Sequence, residues 1–96
     1  MHHEQLVTMA NQIGNFFRYQ GDEEDAARNI ARHLSHYWAL RMRRDLAECL
    51  DGADGEGMDP LVRSAVSRYR DELTRYGAQV PGERALEQPE GGGDAG

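Results

Sequence analysis

The sequence predicts an all-α protein, a small bundle of three to four helices with a disordered C-terminal tail. Two observations carry this. Apolar residues recur at three- and four-residue spacing through most of residues 6–73, and the last stretch, "GAQVPGERALEQPEGGGDAG", is rich in glycine and proline and poor in side chains that could repay the entropy of ordering. The expected boundaries are a helical domain over 1–76 and a flexible tail over 77–96.

The first helix rests on Leu6, Met9, Ala10, Ile13, Phe16 and Phe17, and Gly21 is suited to a left-handed turn after it. Asp22 then offers an N-cap oxygen, with Glu23, Glu24 and Asp25 in the first turn of the next helix, where the helix dipole favours negative charge. From there Ala27, Ala31, Leu34, Trp38, Met42 and Cys49 form one stripe at steps of three, four and seven, so residues 23–50 read either as one long helix or as two helices meeting near Ala39. At 100° per residue His33, Tyr37, Leu40 and Arg44 fall on a second face of that element. Residues 51–59, "DGADGEGMD", form a turn-rich loop. It lacks the calcium-loop pattern, since Ala53 and Glu56 stand where an oxygen ligand and a glycine are needed. Asp59-Pro60 starts the last helix, whose stripe is Leu61, Val62, Ala65, Val66, Tyr69 and Leu73.

Function is bounded mostly by exclusion. The net charge of −6 hides a block of five arginines (Arg28, Arg32, Arg41, Arg43, Arg44) without an acid among them, bracketed by acidic runs on both sides. Anionic flanks repel phosphate, which disfavours nucleic acid as a partner. No apolar run approaches the length of a membrane span and the first residues do not open a signal peptide; with one cysteine, a reducing, cytoplasmic setting is expected. Catalytic, cofactor and metal sites are all expected to be absent. His33 and His36 find no third ligand at helical spacing because Glu48 lies well beyond them, Cys49 continues an apolar stripe, and no phosphate-binding glycine motif precedes a helix.

Three blocks carry a resemblance: "LVTMANQIGNFF" at 6–17, "IARHLSHYWALRMRRDL" at 30–46 and "GMDPLVRSAV" at 57–66. In order and approximate spacing they resemble the delta subunit of the NAD-dependent, molybdenum-containing formate dehydrogenase. The resemblance implies a cytoplasmic complex whose larger subunits carry molybdopterin guanine dinucleotide, iron–sulfur clusters and FMN, and an accessory role for this chain, without a cofactor of its own, in assembly, maturation or stability of the catalytic subunit. Where that family usually has a tryptophan-aspartate-proline-arginine run, this chain has Trp38-Ala39-Leu40-Arg41, losing a cap and a helix-starting proline. The substitution favours a continuous helix over 23–50.

The cluster "HLSHYWALRMRRDL" at 33–46 is the expected contact with a partner, through His33, Tyr37, Trp38, Leu40, Arg41, Arg43 and Arg44. Tryptophan and arginine are over-represented at interface hot spots. Against that, Trp38 also fits the core stripe, and the arginines could lie on a solvated helix face. The competing function is a free helical regulator or nucleic-acid-binding module using the basic block at 28–44.

Overall fold

The computed structural model describes residues 2–77 and residue 80. Its elements are helices α1 (His3–Phe17), α2 (Glu23–Tyr37) and α3 (Leu40–Cys49), a 3-10 turn (Ala53–Gly57), and helices α4 (Pro60–Arg68) and α5 (Arg70–Thr74). There is no strand among the described residues, so the fold is all-α as expected. α2 packs against both α1 and α4, while α3 packs against α1 and α5. The core joins all five helices through Leu6, Ile30, Leu34, Leu46, Val62 and Leu73, each almost fully buried.

Local chemistry sets the helix starts. Asp22 is the N-cap of α2 and its carboxylate accepts from the Asp25 amide at 2.8 Å. Asp59 caps α4, accepting from the Leu61 amide at 2.9 Å, with Pro60 as the first helical residue. Gly21 has φ +90°, the left-handed conformation that turns the chain from α1 into α2. Asp59 also pairs with Arg18, and its amide donates to Asn11 Oδ1 at 2.8 Å. The Asn11 amide group donates to the Gly57 carbonyl at 2.9 Å. One polar side chain of α1 therefore clasps the loop that leads into α4. Asp59→Ala removes the cap and the Arg18 partner together and is expected to cost about 1–2 kcal/mol, read as a shift of the denaturation midpoint; Asp59→Asn, which keeps a capping oxygen, should recover most of it.

The continuous helix favoured over 23–50 is not what forms. Trp38 and Ala39 are both extended, with ψ 140° and 150°, and split the segment into α2 and α3. Packing overrides the missing cap and proline. In an unbroken helix Ala47 would point nearly opposite the Ala27–Leu34 stripe at 100° per residue. In the structure Leu46, Ala47 and Cys49 are all buried, so the bend re-phases α3 toward the core. The carbonyl that the bend frees at Trp38 accepts from Arg43 Nε at 3.2 Å. His33 and Tyr37 thus sit on α2 and Leu40 and Arg44 on α3, rather than along one helical face.

α1 differs from its expected face as well. Leu6, Val7, Ala10 and Gly14 are buried, whereas Met9, Ile13 and Phe17 are only partly covered and Phe16 is 68% exposed. Gly14 causes the rotation. A Cβ there would lie 2.6 Å from a Val62 methyl, so its absence lets α4 approach the α1 backbone directly. The last stripe is buried as expected, from Leu61 to Leu73, but a kink at Tyr69 (φ −109°, ψ 27°) divides it into α4 and α5. Apart from Gly77 and Val80, the tail expected over 77–96 lies outside the described residues. Val80 is 1% exposed and belongs to the core.

Candidate interaction surface

The seven residues of the expected contact do not share one surface. Trp38 is 7% exposed and lies in the core. Arg43 is half-buried and donates to the carbonyls of Trp38 at 3.2 Å and Leu73 at 3.1 Å. Arg44 Nε donates to the Thr74 carbonyl at 3.0 Å. These two arginines therefore satisfy carbonyls at the end of α5, groups that a helix terminus otherwise leaves orphaned. Leu40 is half-buried and Arg41 exposed at the start of α3. His33 and Tyr37 open elsewhere, toward the end of α1.

There the fold assembles something that spacing along the chain does not reveal. The Phe16 and Phe17 rings meet edge-on at 4.9 Å and Phe17 and His33 at 5.9 Å, while His33 and Tyr37 lie tilted at 4.8 Å, with His36 a further 5.0 Å from Tyr37. The result is a run of five rings across two helices. Beside it lies a shallow groove of about 280 Å³ lined by Met9, Gln12, Ile13, Phe16, Phe17 and His33. Tyr37 is 71% exposed and Phe16 68%. Partial burial, and then the neighbouring His36, push the His33 pKa down, which favours its uncharged imidazole. Two large rings are thus held in water on adjacent helices.

The basic block is largely engaged within the domain. Arg28 pairs with Asp25 at 2.7 Å, Arg32 donates to Asn29 Oδ1 at 3.1 Å, and Arg43 and Arg44 hold backbone carbonyls. Cys49 is buried, its thiol donating to the Asp45 carbonyl at 3.4 Å, as a small core residue would. Among the described residues the group able to surround a metal ion is His3, Asp45 and Glu48. No helix among them is long and apolar enough to cross a membrane.

A protein-family model described as "NADH-dependant formate dehydrogenase delta subunit FdsD" matches residues 5–66, well over half of the 96-residue chain. The chain belongs to the FdsD family. Comparison with the curated proteins finds no match, and neither does comparison with the solved structures. The FdsD match covers the whole five-ring run, Leu40 and Arg41. It ends inside α4, so α5, whose carbonyls Arg43 and Arg44 hold, lies beyond it. His3 precedes the FdsD match, while Asp45 and Glu48 fall within it.

Proposed function

We propose that this FdsD chain is a non-catalytic accessory subunit of a cytoplasmic NAD-dependent formate dehydrogenase complex, supporting assembly, maturation or stability of the molybdenum-containing catalytic subunit. Molybdopterin guanine dinucleotide, iron–sulfur clusters and FMN belong to the larger subunits in this reading. The observation that carries it is the open aromatic run on a domain of this family. Phe16, Phe17, His33 and Tyr37 form the anchor, while Leu40, Arg41 and Arg44 offer a separate contact on α3. Trp38 and Arg43 contribute by fixing the bend that presents this surface. Nucleic acid is disfavoured as partner because much of the arginine block is spent on Asp25, Asn29 and backbone carbonyls.

Phe16→Asp with Tyr37→Ala tests the reading. Anchor rings are each worth about 2 kcal/mol or more at an interface, so co-purification with the larger formate dehydrogenase subunits should fall at least about thirty-fold. Both side chains are mostly exposed, so the helical circular dichroism of the isolated variant should match the parent chain. Normal assembly of the double variant would move the contact to another face.

A further inference from the structure

Three side chains from two segments far apart in sequence meet where the start of α1 crosses α3. His3 is the first residue of α1, and Asp45 and Glu48 stand one turn apart on α3. One ligand atom from each, an imidazole nitrogen and two carboxylate oxygens, lies within 4.8 Å of the others. The backbone beneath them is anchored on both sides. Leu6 and Val7 are buried one turn beyond His3, and Leu46, Ala47 and Cys49 are buried around the two acids. The juxtaposition is therefore a product of the α1–α3 packing and not of a loose terminus. We propose that His3, Asp45 and Glu48 form a structural site for a divalent transition cation of the zinc class, clipping the start of α1 to α3.

The donor set selects the ion. Two carboxylates neutralise a doubly charged cation, and an imidazole nitrogen favours zinc over calcium or magnesium, which take oxygen ligands. Three protein ligands leave one tetrahedral position for water. Zinc bonds of about 2.0–2.1 Å place neighbouring ligand atoms about 3.4 Å apart, tighter than the 4.8 Å within which the trio lies. Glu48 is exposed and His3 and Asp45 half-exposed, so side-chain rotation can close that gap without moving either helix. Such a clip also has a use. The N-cap of α1, His2, makes no side-chain capping bond, so the first turn of α1 lacks the restraint that Asp22 and Asp59 give to α2 and α4.

The test uses the untagged full-length chain stripped of metal with a chelator and titrated with zinc chloride. Equilibrium dialysis should find one zinc per chain. Thermal unfolding should shift upward by about 10–20 °C at free zinc about a hundred-fold above the dissociation constant, and millimolar magnesium should produce no shift. His3→Ala and Glu48→Gln should each abolish the zinc response, whereas His33→Ala with His36→Ala should leave it intact. Glu48 is exposed, so Glu48→Gln remains informative even if His3→Ala frays the helix. A parent chain without a zinc shift overturns the proposal. So does a shift that survives both ligand substitutions, or one lost on removing His33 and His36.

Discussion

Trp38→Ala should lower the thermal midpoint of the isolated chain by about 15–30 °C. Truncating a buried tryptophan costs about 3–5 kcal/mol, and each kcal/mol moves the midpoint of a domain this size by about 4–8 °C. Total stability for about 75 ordered residues is about 4–11 kcal/mol, so the variant keeps a fraction of it at best. Trp38 is also where the chain bends. Its ring enters the core, so truncation opens a cavity at the point that phases α3, while the backbone carbonyl held by Arg43 is retained. Thermal melts without any partner decide the matter, because a residue used mainly for docking would leave the melt of the lone chain nearly unchanged. Tyr37→Ala, one position away but 71% exposed, is the matched control and should shift stability by no more than about 0.5 kcal/mol.

Gly55→Ala should destabilise the domain by about 3 kcal/mol, the upper part of the usual range for overpacking. Gly55 is buried in the 3-10 turn, and an added Cβ would overlap the Cys49 carbonyl oxygen while lying 3.3 Å from the Cys49 carbonyl carbon and from Leu50 Cα. All three atoms are backbone, so no rotamer change relieves the clash. The Gly55 carbonyl also accepts from Arg63, a residue of α4, so displacing the turn disturbs the helix that follows. Gly52 provides the contrast. It is extended and exposed, and a Cβ added to it would meet nothing within 4 Å, so Gly52→Ala should be neutral or stabilise by about 0.4–1 kcal/mol through the unfolded state. Urea denaturation of the two variants side by side separates lost space from lost chain freedom; equal midpoints would show that the close approach at Gly55 carries no weight.

What is legible in the sequence is whatever adjacent residues decide. Asp22 before an acidic turn and Asp59-Pro60 before an apolar run announce their helices because a cap acts over three residues. The Ala27–Trp38 and Leu61–Leu73 stripes are legible for the same reason. The bend at Trp38-Ala39 is legible only as one of two readings, since the choice answers a demand to bury Leu46 and Ala47 against other helices. That pair lies off the stripe of an unbroken helix, and its apolar character is the one local signal of the bend. Gly14 looks like a gap in the α1 pattern and is instead the point of closest approach to α4. For the candidate surface, His33 and Tyr37 stand out by composition, but their union with Phe16 and Phe17 depends on how the α1–α2 turn folds back. Arg43 and Arg44 pass for interface residues in the sequence because their carbonyl partners lie 30 residues away. Val80 carries no signal at all as a lone valine beside glycine and proline.

The clasp of Asn11 on Gly57 and Asp59, together with the seat of Gly14 on Val62, fixes an order of events during synthesis. α1 leaves the ribosome first, yet the partners that seat its inner face are made 46–48 residues later. Until then Leu6, Val7 and Ala10 have only α2 and α3 to cover them, and the nascent chain exposes an apolar stripe that the finished domain hides. The domain closes only once α4 is free to pack, so until then the inner face of α1 stays partly open.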